Sequence, residues 1–423
     1  MKRKFAILLS AMLLMQAACG CGGAAPSATS SASASTDSTA SKSSEKAVIV
    51  TDEQDFMHEN GITRLAKEIY GDLNVEFFVL SEDTQERETQ ISSLRVEIMA
   101  GGGPDGYLLS SPTSNMTFNG EGHPATLFPD VQRTMQAGAF LPLDDYIKES
   151  EYLRSEDHFA PVFDTGKTDE GQVVLPITYY ASVFLLDKAQ LADPDFTPKT
   201  WDELVNCEDT AVLKVVRNNL YTWCGAGIPR IADYATEKTI LTEENLTAQF
   251  EDLLAMPASE SFDEETALIQ SGSYAQTDEG MAYYAQNKDT VNALAIPNTE
   301  GGVTAFITSY AAINRNSPKA DEVFRFFELL FSDEAQIDTE TMNDARGTLL
   351  MLGNLNSFLT HKNAYLQPEL LESVQSRVNA VRFYSVMDYT IYDTATTLTW
   401  EENPDCAAAA HSVIEALQTR LSE

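Results

Sequence analysis

From Ala47 onward, short apolar runs alternate with longer segments whose apolar residues recur at helical spacing. Ala47 to Thr51 (AVIVT) reads as a buried strand, Gly61 to Tyr70 as a helix, and Val75 to Leu80 as a second strand. Between Glu86 and Met99, residues Ile91, Leu94, Ile98 and Met99 fall on one helical face. Gly101-Gly102-Gly103-Pro104 stops that helix, and Tyr107 to Ser110 opens the next strand. Thr200-Trp201-Asp202-Glu203 reads as a capping box, Thr200 being the cap and Glu203 reaching back to it. Ala305 to Ile313 reads as a strand. After Ser317-Pro318 comes a helix lined by Ala320, Val323, Phe324, Phe327, Leu330 and Phe331, and a last helix runs from about Asp405 to Leu421. Repeated βαβ order predicts an α/β fold with helices on both faces of the sheet.

The N-terminus has a different character. Lys2, Arg3 and Lys4 precede an apolar run from Phe5 to Met15, and small residues lead on to Cys19 and Cys21. That run is too short to cross ~30 Å of hydrocarbon and reads as a secretory signal. Residues 24–46 hold nothing larger and more apolar than alanine. Such a Ser/Ala/Thr stretch cannot bury enough surface to fold and serves as a flexible spacer. Folding is expected to start near Ala47, with enough chain for two domains of ~100–200 residues.

The chain carries 64 acidic against 28 basic residues, a formal charge of −36. A duplex requires a basic footprint, so nucleic acid is not an expected partner, and anionic lipid is not a docking surface. A soluble acidic surface accounts for the charge, and a cationic ligand stays open. Cys207, Cys224 and Cys406 show no CxxC spacing, and the histidines His58, His123, His158, His361 and His411 are scattered. No metal site is therefore expected. The glycine run follows a helix and precedes a strand, the reverse of a phosphate cradle, and no GxSxG, HExxH or P-loop is present. No cofactor is expected. A glycoside hydrolase needs only two carboxylates ~5–10 Å apart, so that alternative stays open. Thr113 to Asp130, rich in Asn, Gly and Pro, reads as a long irregular loop, and loops of that length are often functional.

In order and spacing, several segments resemble the family 1 extracellular solute-binding proteins, the lipoprotein receptors of ABC importers best known for maltose and other sugars. Ile98 to Asp105 is similar to the family's AGxGPD turn, and Phe140 to Tyr146 to its LxPLddY segment. Leu175-Pro176-Ile177 through Leu186-Asp187-Lys188, then Pro198 to Leu204, resemble its P…lyyNKdl and PxTWdEl segments. Ala295-Ile296-Pro297, Ser309 to Ile313 and the Phe324 helix resemble its late crossover. After Pro104-Asp105, Leu109, Ser110 and Ser111 stand where many sugar-binding members place an aromatic or acidic residue.

The resemblance implies a two-lobed periplasmic-binding-protein-like fold with three crossover strands and a ligand cleft between the lobes. It divides the chain into a lipoprotein signal (1–20), a tether (21–46), lobe 1 (47–175), lobe 2 (176–297), a return to lobe 1 (298–350) and C-terminal helices of lobe 2 (351–423). The lipidated residue would be Cys21, with Cys19 as the alternative. The protein would be a monomer anchored by that lipid at the outer face of the cell membrane, periplasmic where an outer membrane exists. It would pass a small solute, a sugar by default, to ABC permease subunits. A ligand-presenting surface sensor without transport is the other receptor reading. Neither is an enzyme.

Aromatic side chains at the cleft would stack on sugar faces. By the family pattern these are Tyr179 and Tyr180 on the first crossover, Tyr221 and Trp223 in the second lobe, and Tyr283 and Tyr284 after Gly280-Met281. Asp388 and Tyr389 follow by counting back from the last helix. One of Tyr179 and Tyr180 is expected to pack under the sheet. Trp201, in the first turn of a capped helix, reads as packing, and Trp400 has no assigned role. Metabolic labelling with a fatty-acid analogue checks the anchor: incorporation is expected in the wild type and lost in Cys21→Ser. Loss in Cys19→Ser alone would transfer the modification to that residue, and labelling lost in neither variant would remove the lipoprotein reading.

Overall fold

The computed structural model describes residues 46–422 apart from 58–60, 72, 112–124, 220–225, 258–277, 338–344, 347–348, 351, 353–356 and 366–367. Cys19, Cys21, the tether, Tyr221, Trp223, Cys224 and most of the 113–130 loop lie outside the described residues.

Thirteen strands occur among the described residues. They are β1 (Ala47–Thr51), β2 (Val75–Val79), β3 (Gly106–Ser110), β4 (Lys167–Thr168), β5 (Gly171–Gln172), β6 (Val174–Ala181) and β7 (Val183–Asp187). After them come β8 (Ala232–Asp233), β9 (Lys238–Thr239), β10 (Val291–Ala295), β11 (Val303–Ile313), β12 (Phe358–Leu359) and β13 (Val378–Phe383). The main sheet runs β12-β6-β11-β3-β1-β2, with β13 also paired to β11. Strands β1, β2 and β3 are parallel, while β11 runs antiparallel to β3 and β6. Every residue of β11 is buried, as befits a strand covered on both faces. Edge strand β2 alternates half-buried with exposed residues instead.

The glycine-rich turn has a structural task. Gly101 and Gly103 take φ of +82° and +91°, a region that β-carbon sterics deny to most residues. The turn delivers Asp105, whose Oδ2 accepts from Val48 N at 2.9 Å and whose Oδ1 accepts from Ser317 Oγ at 2.6 Å. Asn314 Nδ2 donates to the carbonyls of Gly102 and Pro104. One carboxylate thus ties β1, the entrance to β3 and the segment after β11. At Gly106 a β-carbon would come within 2.6 Å of Val323 Cγ1, so its absence lets the helix Ala320–Leu329 settle on the sheet.

Two apolar cores form. The first gathers Ile49, Leu108, Leu175, Ile307, Phe327 and their neighbours on the main sheet. The second gathers Trp201, Leu204, Phe250, Leu294, Ile391, Val413 and Leu417. The ribbon β7–β10 is their shared wall, since Val183 and Leu185 join the first core while Phe184 and Leu186 join the second. Strand periodicity of two serves both sides at once. Among the described residues the chain passes between the cores at β6 to β7, at β10 to β11, and from β13 into the helix Val386–Trp400.

Several expectations are corrected. The segment 351–383 was expected with the second lobe, yet Phe358, Leu359, Tyr365, Leu371 and Phe383 sit in the first core. Ile177, Tyr179 and Ala181, placed beyond the first boundary, also belong there. Met99 is 87 % exposed, because the helix Thr84–Met99 turns only Arg87, Ile91 and Leu94 inward. Thr200 Oγ1 does accept from Glu203 N, but Glu203 Oε2 accepts from Lys199 N and not from the cap. Trp201 is buried in the second core and donates to Asp252 at 3.0 Å.

His158 and His361 form a buried bridge between their segments, with ring centroids 5.5 Å apart. Burial, then the neighbouring His361 and Lys362, depress His158 to about 3. Burial lowers His361 too. The folded state therefore holds His158 neutral while the unfolded chain protonates below about 6.5. Its contribution is complete above that pH and is lost as pH falls towards 3. Chemical denaturation should show a loss of about 2 kcal/mol from this residue between pH 6.5 and 5. His158→Phe, which keeps the stack on Phe163, should flatten that slope. An unchanged slope would show that other groups carry it.

Candidate functional site

Register pairing across three strands places Tyr180 of β6, Phe306 of β11 and Arg382 of β13 side by side on one face of the sheet. Thr304 and Ala380 share that face by the alternation of each strand, and Tyr384 follows just past β13. Neither Tyr180, Phe306 nor Tyr384 packs into either apolar core. The opposite face, with Tyr179, Ala305, Ile307 and Phe383, builds the first core. The row faces elements of the second lobe: Arg382 Nη2 donates to Ile228 O at 3.2 Å, and Thr304 Oγ1 to Ala226 O at 3.0 Å.

Arg382 is the centre of a charged cluster. Its guanidinium pairs with Asp388, both side chains being buried, and lies 4.6 Å from the Phe306 ring centroid. Phe306 and Tyr384 rings meet edge to face at 6.1 Å. Asp388 also closes a capping box with Ser385 at the start of the helix Val386–Trp400. Removing one partner of such a buried pair costs roughly 3–5 kcal/mol, because a desolvated charge is left behind. Asp130 lies next to this cluster and accepts from Arg133 N at 3.0 Å and from the Tyr234 hydroxyl. Burial pushes its carboxyl up to about 6, against the pull of those two hydrogen bonds, with the Asp388 charge adding to the rise. Burial raises the Tyr234 phenol, and Asp130 raises it further.

At the far end of the row the polar groups are hydroxyls. Thr178 Oγ1 lies 2.8 Å from Thr308 Oγ1 and 2.6 Å from Ser309 Oγ, and Thr308 Oγ1 lies 2.8 Å from Ser357 Oγ. Ser111 N, just past β3, donates to Thr308 O. The belt thus reaches the carboxyl end of a parallel strand, where ligands of open α/β sheets bind. Beside Arg382 opens a cavity of about 280 Å³ between the free edge of β13 and the segment Pro229–Tyr234, with Gln132 at its side.

The sequence-derived candidates are distributed as follows. Tyr180 is half-buried in the row. Tyr179 is wholly buried on the other face, its hydroxyl accepting from Gln375 Nε2 at 2.8 Å, so it is a core residue. Asp388 is 2 % exposed and is committed to its cap and to Arg382, so it is not an open contact. Tyr389 is half-buried with its ring 6.1 Å from Tyr392. Tyr283 and Tyr284 are half-buried on the helix Asp278–Gln286 and pack against the first core. The structure brings Tyr180 and Asp388 to one cluster through Phe306 and Arg382. Sequence reasoning missed Asp130, Tyr234, Phe306, Arg382 and Tyr384. The pattern Ser385-x-x-Asp388 was available as a capping signal, whereas nothing local marks Arg382.

Residues 53–337 match the family model described as bacterial extracellular solute-binding protein. The chain belongs to this family. No match is found among curated proteins. Among solved structures, this solute-binding protein is similar to the sugar-binding protein MalE from Xanthomonas citri at 11 % identity and a TM-score of 0.57, covering 89 % of this chain and 97 % of that one. A periplasmic solute binding protein from Pectobacterium atrosepticum SCRI1043 follows at 12 % identity and 0.51, with 89 % and 98 % covered. The GacH receptor of Streptomyces glaucescens GLA.O, solved unliganded and with acarbose, matches at 9 % and 0.50, with 89 % and 98 % covered. At such identities the likeness is one of fold: two lobes, α/β in each.

The Asp130 carboxyl generates a prediction of sign. A carboxyl raised on folding contributes stability that is present below about 3.8 and lost as pH rises through about 6. Asp130→Asn keeps an acceptor for Arg133 N and the Tyr234 hydroxyl but cannot ionise. Denaturant unfolding should show the variant more stable than wild type by the order of 1–3 kcal/mol at pH 7.5 and not at pH 4. Destabilisation at both pH values would mean that the carboxylate itself is required.

Proposed function

We propose that this protein is a lipid-anchored extracellular receptor that captures a sugar or oligosaccharide between its lobes and delivers it to an ABC permease. The observation that carries this reading is the row Tyr180–Phe306–Arg382, aromatic and hydrogen-bonding at once, lying outside both apolar cores. Within the row Tyr180 is half-buried and offers a ring and a hydroxyl, the combination that sugar rings demand, with Phe306 and Arg382 buried beside it. Two of the similar folds support the class of solute: MalE is a sugar-binding protein, and GacH was solved with acarbose. Tyr283, Tyr284 and Tyr389 are retained as further contacts, with Tyr221 and Trp223 beyond the described residues.

A solute touching both lobes favours whichever lobe arrangement gives it more contacts, and that differential affinity drives closure. The closed form is the signal a permease reads. A surface sensor would use the same closure, and adjacent genes for two permeases or for a histidine kinase discriminate the two. The formal charge of −36 keeps nucleic acid out of the reading. Among the described residues no helix is long and apolar enough to cross a membrane.

Small-angle scattering should show compaction on adding the solute, with one solute bound per chain and none converted. Chemical conversion would move the protein to the hydrolase class. Tyr180→Ala should weaken binding about 5- to 150-fold, the equivalent of ~1–3 kcal/mol for one stacked ring, with little change in melting temperature. Trp201→Ala should do the reverse, lowering the melting temperature with affinity kept. Unchanged affinity in Tyr180→Ala would place the solute elsewhere.

A further inference from the structure

The cavity beside Arg382 has an unusual lining for so acidic a chain. Ten residues line it, two of them arginines, Arg230 and Arg382, and none an aspartate or glutamate. In the whole chain acidic residues outnumber basic ones 64 to 28. The polar lining is also rich in donors. Asn298 Nδ2 donates to Asn379 Oδ1 at 2.7 Å, which leaves the Asn379 amide to present its NH₂. Arg382 is 6 % exposed; Asp388 takes its Nη1 and the Ile228 carbonyl its Nη2, while its Nε has no hydrogen-bond partner.

Arg230 stands at the outer side of the cavity. Its pair with Glu300, at 2.9 Å, has side chains 59 % and 40 % exposed. An ion pair so exposed is worth little and gives way to a better partner. The two guanidiniums line one cavity from different elements, one from β13 in the main sheet and one from the segment Pro229–Tyr234. Guanidiniums match the planar, bidentate acceptors of carboxylate and phosphate.

We propose that this cavity binds an anionic group, a carboxylate or phosphate, carried by the solute, so that the receptor selects acidic over neutral sugars. The proposal rests on the interlobe capture described above and adds the chemical class of solute. With about 280 Å³, the cavity lies just below the ~300–1,000 Å³ usual for ligand pockets, room for a small head group and not for an oligosaccharide chain.

Calorimetry and melting curves on the purified protein test this with glucuronate, galacturonate and glucose 6-phosphate set against glucose, galactose and inorganic phosphate alone. The acidic sugars are expected to bind and raise the melting temperature, with their neutral counterparts at least about ten-fold weaker, the scale of a hydrogen bond to a charged group. Arg230→Gln should erase most of that preference. The double variant Arg382→Gln with Asp388→Asn, which leaves no orphaned charge, should do likewise, and its melting curve shows whether it folds. Phosphate alone binding as tightly as the sugar phosphate would support the anion site and make a free anion its occupant. Neutral sugars binding as well as acidic ones, with Arg230→Gln indifferent, would overturn the inference and leave the sugar receptor intact. Acidic sugars bound equally by both variants would overturn the placement. No binding in either class would overturn the inference together with the sugar reading.

Discussion

Strand β11 is the piece on which the rest of this molecule depends. All eleven residues from Val303 to Ile313 are buried, and the strand pairs with β6 along one edge and with β3 and then β13 along the other. Those pairings join the N-terminal βαβ half, the first crossover and the C-terminal return in a single hydrogen-bonded sheet. A backbone group taken from water must find a partner, so a central strand with every residue inside has to be paired on both edges. The register of those pairs also decides which side chains face the first core and which face the second lobe.

From that register the functional arrangement follows. The alternation that sends Ile307 and Ala305 into the first core sends Phe306 and Thr304 to the other face, where Tyr180 and Arg382 lie beside them. The two faces of the sheet serve different ends. One face is apolar and close-packed and holds its shape. The other carries rings, hydroxyls and one arginine whose charge is balanced by Asp388 and whose ring contact is Phe306. The Arg382–Asp388 pair is costly to break, and it fastens the start of a second-lobe helix to a strand of the main sheet.

The turn Gly101 to Asp105 illustrates how a motif can be structural and still serve function. Asp105 spends both oxygens on Val48 N and Ser317 Oγ. It offers nothing to a solute. What it does is hold β1 and β3 at the height from which Ser110 and Ser111 leave the sheet. Asp52, at the end of β1, behaves in the same way, pairing with Arg87 and accepting from Ser110 N at 3.0 Å.

Strand and helix identity was legible in the sequence wherever it is a local matter. AVIVT is a strand because β-branched residues fill a surface buried on both sides, and the Phe324 helix shows its face in its spacing. The order of motifs was legible too, and with it the family. The site was legible only in part. Tyr179 and Tyr180 are neighbours in the chain with the same composition around them, and only pairing to Ile307 and Phe306 separates a core ring from one on the cleft face. Arg382 joins Phe306 across 76 residues of chain, and Asp388 is engaged by an arginine and a cap where the sequence suggested an open contact. Such facts are fixed by strand register and lobe packing, which are non-local, so no window of sequence contains them: the amino acids by themselves determined which segments become strands and helices, and the tertiary structure decided which of their faces meet.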